Sequence, residues 1–183
     1  SQILELERAG CDIVRFTVND MSAAEAIPYY VENTNIPLVA DIHFDYRLAL
    51  ASAERGISKI RINPGNIGDK ENIKKVALAC RERNIPIRIG INGGSAEKSV
   101  LAKYGGPTAE ALAESALLNA QMLEEFDFTD IVLSVKSSDV KTMVDAARIL
   151  NEKCNYPLHI GVTETGDVRR GNVKSAIGIG ALL

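Results

Sequence analysis

Short apolar segments alternate with longer amphipathic segments along the whole chain, and this alternation restricts the folds that are possible. The apolar segments are rich in β-branched residues, as the buried strands of parallel sheets are. They lie at 13–18, 37–44, 58–63, 86–92, 130–136 and 157–164. A helix-like segment follows each of them, so the pattern predicts about six βα units with parallel strands and right-handed connections. The predicted fold class is therefore α/β.

Two α/β architectures fit this pattern, the closed (β/α)8 TIM barrel and the open doubly wound sheet. In an open sheet the ligand lies where the strand order reverses, so few strands carry polar ends. Here all six strands carry polar residues towards their carboxyl ends. Barrels do this because their sites collect residues from many strands. We therefore favour the TIM barrel, and a complete six-stranded open sheet is the alternative.

The chain is short for a complete barrel. It has 183 residues, whereas a barrel typically needs roughly 200–250, and it begins with Ser1 rather than Met. The simplest interpretation is a barrel fragment of about six βα units that lacks the first and last strands. We expect residues 1–183 to form a partial TIM-barrel domain that binds substrate.

Four of the predicted strands carry a cationic side chain within or at the end of their apolar run. These are Arg15, Arg61, Arg88 and Lys136. A buried charge is costly unless it is paired or meets an anionic ligand. We therefore predict a cationic pocket at one end of the barrel for a phosphorylated substrate. The alternative is an ion-pair network with Asp41, Glu164 and Asp139, which offers few acids for four cations.

Alternation along each strand predicts which other polar residues share a face with the cations. They are Asp41, His43, Asn63, Asn92 and Ser134. Arginine suits bidentate phosphate contacts and lysine suits a point-charge contact, while amides and hydroxyls add hydrogen bonds. The turn at 63–68 either cradles an anion with its amides or is a plain βα turn that uses Asn and Gly.

Two further groups could take part in proton transfer. Glu164, at the end of the last strand, is either a general acid or base or else a helix cap or a partner of Lys136. His43 could donate to phosphate or relay protons. The second histidine, His159, lies early in its strand, and we expect it in the core.

Composition excludes several other classes of protein. A net charge of −3 and a pI of about 5.5 argue against nucleic acid or an anionic membrane as a partner. No apolar run approaches the ~18 residues of a membrane span. Cys11, Cys80 and Cys154 lie far apart, which predicts reduced thiols and no local zinc or iron–sulfur motif. We therefore expect a cytoplasmic protein without metal ligands in this chain.

Several motifs occur in one order along the chain. They read IVRFTV, PLVADIHFDYRLAL, KIRINPGNIG, IPIRIGINGGS, LAKYGGPTAEALAESAL, SVKSSDV, YPLHIGVTETG and KSAIGIGALL. With them the chain closely resembles the 4-hydroxy-3-methylbut-2-enyl diphosphate synthases of the methylerythritol phosphate route to isoprenoids. The resemblance covers nearly the whole chain, and its ADIHFDYRLAL and KIRINPGNIG segments are highly specific.

The resemblance implies an oxidoreductase whose TIM barrel binds 2-C-methyl-D-erythritol 2,4-cyclodiphosphate and whose reaction opens the ring reductively. It also implies a C-terminal domain, absent from this chain, with a 4Fe-4S cluster on three Cys and a Glu. Flavodoxin or ferredoxin would supply the electrons to a homodimer in the cytoplasm, or in the plastid of a plant. The fragment alone would then be inactive, because it holds no cluster.

The resemblance also assigns roles to residues. Those that would bind the substrate are Arg15, Arg61, Asn63, Arg88, Asn92, Ser134 and Lys136. Asp41, His43 and Glu164 would be the catalytic polar residues around the substrate's hydroxyl groups, with Glu164 delivering the proton. Two other kinds of protein remain as alternatives. One is another phosphate-binding TIM barrel, either a pterin-binding synthase or an aldolase in which Lys136 would form a Schiff base. The other is a non-catalytic sensor of a phosphate ligand.

Overall fold

The computed structural model describes residues 2–183, so that Ser1, where the first predicted helix begins, lies outside the described residues. Five strands form one sheet in chain order. They are β1 (Val14–Thr17), β2 (Leu38–Asp41), β3 (Lys59–Ile62), β4 (Ile87–Asn92) and β5 (Ile131–Lys136). β1 pairs with β2 and β2 pairs with β3, both in parallel. The predicted α/β class is confirmed.

Helices occupy most of the connections between the strands. They are α1 (Gln2–Arg8), α2 (Met21–Glu25), α3 (Ile27–Asn33), α4 (Tyr46–Glu54), a 3₁₀ turn (Pro64–Asn66), α5 (Lys70–Glu82), α6 (Lys98–Tyr104), α7 (Ala109–Glu124), α8 (Val140–Lys153) and α9 (Val168–Gly180). The predicted βα alternation is therefore present from β1 to α8.

Aspartate begins most of the helices that follow a strand. In each case the side chain accepts a hydrogen bond from a backbone N–H group in the first turn, which satisfies a donor that the helix leaves unpaired. The capping residues are Asp20, Asp45, Asp69, Asp139 and Asp167. Asp139 is thus the cap of α8, and the interpretation that paired it with a strand cation is wrong.

Two segments differ from the sequence prediction. The expected strand at 157–164 forms a single parallel bridge, between Leu158 and Leu133. The same segment meets the end of β5 again at Thr163, whose N–H donates to the carbonyl of Ser137. Between Leu158 and Thr163 the segment does not form a continuous ladder with β5. The glycine-rich residues 93–106, which we expected to form a loop from the sequence alone, contain α6, whose Val100 is buried and which ends at Gly105 with φ of +72°. The glycines on both sides of α6 hid this helix.

The chain divides into two compact units. The first comprises the described residues up to Arg88 together with Leu123–Asp130, and the second comprises Ile89–Met122 and Ile131–Leu183. In the first unit, β2 is buried along its whole length and its neighbour β3 buries Ile60 and Ile62. α4 packs against α5, which buries Ile73 and Val76. This packing holds the strand ends of the first unit in place.

The second unit is built on helices rich in small residues. α7 buries Ala111, Leu112 and Ala116. α8 packs against α9 at Gly178, where an added Cβ would lie 2.6 Å from the methyl carbon of Met143. Glycine therefore allows the two helices to approach closely at this point.

Candidate functional site

The first unit contains a cluster of charged side chains, which we call the arginine cluster and define as Arg15, Asp41, His43, Arg61 and Arg88. Asp41, the last residue of β2, lies at its centre and is 3% exposed. Its Oδ2 atom lies 2.9 Å from Nη1 of Arg15 and 3.4 Å from Nε2 of His43. Its Oδ1 atom accepts a hydrogen bond of 3.0 Å from Nη1 of Arg61.

The strand register explains why these residues meet. Asp41 lies opposite Arg61 on β3 and opposite Thr17 on β1, two residues after Arg15. Because side chains alternate between the faces of a sheet, Arg15 and Thr17 share one face. The N–H of Ile42 donates to the carbonyl of Arg61 and extends this pairing beyond the end of β2. The alternative interpretation, in which Asp41 pairs with strand cations, is therefore confirmed for Arg15 and Arg61.

Arg88 differs from the other two arginines. It is 4% exposed, yet among residues 2–183 no carboxylate forms an ion pair with its guanidinium group. Burial, together with the positive charges of Arg15 and Arg61, lowers the pKa of Arg88 to about 10. At neutral pH it is still charged. The cluster thus holds three guanidinium groups around one carboxylate, an arrangement that suits an anionic ligand.

Asn63 follows β3 and starts the turn at 63–68. It is 2% exposed, and its Oδ1 atom accepts a hydrogen bond of 3.1 Å from the N–H of Gly65. Gly68, at the end of this turn, has φ of +124°. Both features are those of a plain βα turn, and the contact of Asn63 with a substrate stays a prediction.

The second unit contains a cavity of about 220 Å³ with several polar side chains in its lining, which we call the polar cavity. Asn92, Lys136 and Glu164 line it, together with Ser138 and Thr163. Three of the predicted site residues therefore lie around one cavity. Its walls offer an amide, a cation, a carboxylate and hydroxyl groups, which can bind and protonate a polar ligand.

Glycines shape the walls of this cavity. An added Cβ at Gly161 would lie 3.8 Å from Nζ of Lys136, so the Lys136 side chain runs over Gly161. An added Cβ at Gly93 would lie 3.1 Å from Cβ of Pro107. Gly93 therefore allows a close approach to Pro107 within the cavity lining, and Gly161 makes room for the Lys136 side chain that lines it.

Glu164 has an unusual backbone conformation for its residue type. Its φ of +51° lies in the left-handed region, which costs a non-glycine residue about 1 kcal/mol or more. Its side chain is exposed and forms no ion pair among the described residues. The interpretation of Glu164 as a partner of Lys136 is therefore wrong, and its proton-transfer role stays a prediction.

Two other predicted residues have different outcomes. Ser134, on β5, is 1% exposed, and its Oγ atom has no hydrogen-bond partner among residues 2–183. Such a group is available to a ligand or a water molecule. The expectation that His159 lies in the core is wrong, because this residue is exposed in the irregular segment after α8.

The cysteines do not fit the ligands of an iron–sulfur cluster, which are thiolates. Burial raises the pKa of the Cys80 thiol to about 12, so it stays neutral. Cys11 donates through Sγ to the carbonyl of Ile13, and Cys154 donates to that of Leu150. Within residues 2–183, no three His, Cys, Asp or Glu side chains are grouped to hold a metal ion. In the same part of the chain no helix has the length and apolarity that a membrane span requires.

The sequence analysis missed one group of polar residues. Glu97 accepts hydrogen bonds from Ser115 and Asn119, both fully buried on α7. Ser115 and Asn119 are four residues apart on a helix face that is otherwise alanine and leucine. That spacing on an apolar helix face was the signal that could have revealed a buried polar contact.

The parallel order of the strands, the connecting helices and the polar strand ends define a domain of the TIM-barrel class. A family model described as the GcpE TIM-barrel domain matches residues 1–183. The chain belongs to this family.

Curated relatives share this similarity along the whole chain. Proteins of Clostridium perfringens and Fusobacterium nucleatum are 63% and 59% identical to it over 182 residues, and one of Clostridium acetobutylicum is 55% identical. Each is named 4-hydroxy-3-methylbut-2-en-1-yl diphosphate synthase (flavodoxin). The chain spans about half the length of these relatives, 51–52%.

Solved structures with low sequence identity share the fold alone. A dihydropteroate synthase of Clostridium difficile matches 98% of this chain and 76% of its own, with a TM-score of 0.67 and 16% identity. The carboxyl transferase domain of Rhizobium etli pyruvate carboxylase matches 87% of this chain and 28% of its own, with a TM-score of 0.58 and 17% identity.

Proposed function

We propose that the protein to which this chain belongs converts 2-C-methyl-D-erythritol 2,4-cyclodiphosphate into 4-hydroxy-3-methylbut-2-enyl diphosphate, and that this chain binds the substrate. The names of relatives with 54–63% identity over the full chain support the proposal. The single observation in the structure that carries it is Arg88, a buried cation without a carboxylate partner among the described residues. Such a charge is best explained by an anionic ligand that pairs with it when bound.

The diphosphate of the substrate suits the arginine cluster. Arg15 and Arg61 are already oriented by Asp41, at 2.9 Å and 3.0 Å. A guanidinium group held in this way loses little freedom when it binds a phosphate, and it can donate two parallel hydrogen bonds. Asp41 would therefore act mainly on the arginines, and His43, 3.4 Å from Asp41, would reach the substrate's oxygens from the more exposed side.

The polar cavity of the second unit has side chains of the kinds that bind the hydroxyl groups of a substrate. Asn92 and Lys136 would donate hydrogen bonds, and Ser134 and Asn63 are further predicted ligands. Glu164, with its exposed carboxyl group, would deliver the proton to the leaving hydroxyl. General acid catalysis of this kind typically contributes about 10²–10⁴ in rate.

The reaction consumes two electrons and two protons. A carbon–oxygen bond to the cyclic diphosphate breaks, which opens the ring, and a hydroxyl group leaves as water. A 4Fe-4S cluster would supply the electrons one at a time. The three cysteines of this chain do not fit as its ligands, so the proposal assigns the cluster to a C-terminal domain outside residues 1–183. The resemblance also supports flavodoxin or ferredoxin as the donor, a homodimer and a cytoplasmic location.

Turnover by the full-length protein tests this proposal. Purified without oxygen and supplied with reduced flavodoxin or dithionite, it should form the open-chain diphosphate and one water for each ring opened. The 183-residue chain should not turn over the substrate under the same conditions. Full-length protein that holds its cluster and leaves the cyclodiphosphate unchanged would contradict the proposal. If borohydride instead trapped a substrate adduct on Lys136, the aldolase alternative would be correct.

A further inference from the structure

We propose that Glu97 is a positioning residue that fixes the segment from Asn92 to Glu97, which we call the Asn92 loop, against α7. Through this loop Glu97 sets the orientation of Asn92 at the polar cavity. The inference rests on the proposed function in one respect, because it takes Asn92 as a ligand of the cyclodiphosphate. Its structural part, the restraint of the loop, can be tested without turnover.

The contacts of Glu97 are unusual for its place in the chain. It is the N-cap residue of α6, but its side chain makes no capping hydrogen bond. Glutamate is not among the residues preferred at this position. Instead its Oε2 atom accepts from the hydroxyl of Ser115 and its Oε1 atom accepts from the amide of Asn119. Both oxygens of the Glu97 carboxylate thus accept hydrogen bonds from side chains of α7.

The residues on α7 depend on this contact. Ser115 and Asn119 are both 0% exposed, on a helix face otherwise made of Ala and Leu. Buried polar groups destabilise a protein unless they are hydrogen-bonded. The Nδ2 atom of Asn119 also donates to the carbonyl of Ser115 at 2.8 Å, which fixes the orientation of the amide. The Glu97 carboxylate therefore provides the hydrogen-bond acceptors that Ser115 and Asn119 need at their buried positions on α7.

Hydrogen bonds within the Asn92 loop connect Asn92 to Ser95 and Ala96, and Ala96 is the residue directly before Glu97 in the chain. The backbone N–H groups of Ser95 and Ala96 donate to the carbonyl of Asn92 at 3.0 and 3.1 Å. The N–H of Asn92 donates to the hydroxyl of Ser95 at 2.9 Å, and the N–H of Gly94 donates to Oδ1 of Asn92 at 3.0 Å. The amide oxygen of Asn92 is therefore occupied, which leaves its Nδ2 group to donate to a ligand.

The contact is not needed simply to hold the two helices together. At the other end of α6, Glu114 of α7 accepts hydrogen bonds from Lys103 and from the hydroxyl of Tyr104, both at 2.6 Å to Oε2. Glu114 therefore connects the same pair of helices through a carboxylate, but far along the chain from the Asn92 loop. It provides a matched control for Glu97.

The experiment uses the full-length protein with its cluster and compares Glu97→Gln with Glu114→Gln. Glutamine keeps the size of the side chain, but it removes the charge and leaves one accepting oxygen where two had accepted. We expect Glu97→Gln to speed amide exchange at Gly94, Ser95 and Ala96 about tenfold, since opening of the loop becomes easier. Glu114→Gln should leave the exchange of these amides within about twofold of the wild type.

Kinetics separate positioning of Asn92 from a general structural role. We expect Glu97→Gln to raise the KM for the cyclodiphosphate about tenfold and to change kcat less, because contacting groups couple by this amount. In an Asn92→Ala background the same substitution should change KM less than about twofold.

Two results would overturn the inference. One is equal loop exchange in Glu97→Gln and Glu114→Gln. The other is an undiminished effect of Glu97→Gln on KM in the Asn92→Ala background. If the wild-type protein does not turn over the cyclodiphosphate, the proposed function fails, and the exchange experiment alone still decides whether Glu97 restrains the loop.

Discussion

Arg88 should lower the stability of the unliganded protein while it promotes ligand binding. Its pKa is lowered to about 10, well below the ordinary pKa of an arginine. At about 1.4 kcal/mol for each pKa unit, keeping this arginine charged costs roughly 3 kcal/mol of folding free energy. Because the pKa is lowered in the folded state, the cost is fully present below about pH 10 and fades as the pH rises towards 12.5. Assays at neutral pH therefore measure the full effect.

The substitution Arg88→Met tests this directly. Methionine keeps most of the length of the side chain and removes its charge. We expect the unliganded full-length protein to unfold at a higher temperature, by about 6–12 °C, since each kcal/mol shifts the midpoint of a domain of this size by about 2–4 °C. The relevant measurement is calorimetry of the transition that belongs to the barrel domain.

Arg61→Met is the matched control. Arg61 forms an ion pair of 3.0 Å with Asp41, which is 3% exposed. Removing one partner of a buried pair leaves the other charge poorly compensated and destabilises by about 3 kcal/mol. The two Arg→Met substitutions should therefore shift the unfolding temperature in opposite directions, although both remove a cation from the same cluster.

Ligand binding should remove most of the stability difference between Arg88→Met and the wild type. Pyrophosphate at 100 times its Kd adds about 2.7 kcal/mol to the wild type, whereas at the same concentration it should add little to Arg88→Met. The reasoning is refuted if Arg88→Met destabilises the unliganded protein as much as Arg61→Met does. It is also refuted if pyrophosphate stabilises Arg88→Met and the wild type equally.

Three further predictions concern Glu164 and Asp41. In steady-state kinetics, Glu164→Gln should lower kcat by about 10²–10⁴ and leave KM within a few-fold, because the amide has no transferable proton. A tenfold rise in KM with an unchanged kcat would show that Glu164 is a substrate ligand instead. Glu164→Gly should stabilise the protein by about 1 kcal/mol in chemical denaturation, because glycine relieves the strain at φ of +51°, and an unchanged midpoint would contradict this. Asp41→Asn should destabilise by about 3 kcal/mol, since Arg15 and Arg61 lose their shared carboxylate, and equal stability would show that Asp41 does not hold the arginines.

The strands and most of the helices could be predicted from the sequence because their signals are local. β2 is an apolar run that is buried throughout, and the alternation of Arg61 with Ile60 and Ile62 in β3 gave the correct faces. The pairing of strand cations with Asp41 was the alternative interpretation that the sequence left open. The strand register decides which arginines pair with Asp41 and which lack a carboxylate partner, and local sequence patterns do not reveal this register.

Other features depend on contacts between distant residues, so local patterns could not reveal them. α6 was hidden because glycines flank it, although Val100 buries its inner face. Asp20 caps α2, although Ser22 two residues later also suits a cap, because the path of the chain after β1 decides between them. Arg88 looked like the other strand cations, and the lack of a carboxylate partner becomes visible when the neighbouring strands are in place.

The most direct test of the account is the crystal structure of the full-length protein with bound 2-C-methyl-D-erythritol 2,4-cyclodiphosphate. The measurement is the distance from the diphosphate oxygens to the guanidinium nitrogens of Arg88, Arg15 and Arg61. The account predicts hydrogen bonds of about 2.7–2.9 Å, as charge-assisted pairs have, with Arg88 among the donors. A diphosphate that binds elsewhere, while Arg88 stays without an anion, would contradict the central claim.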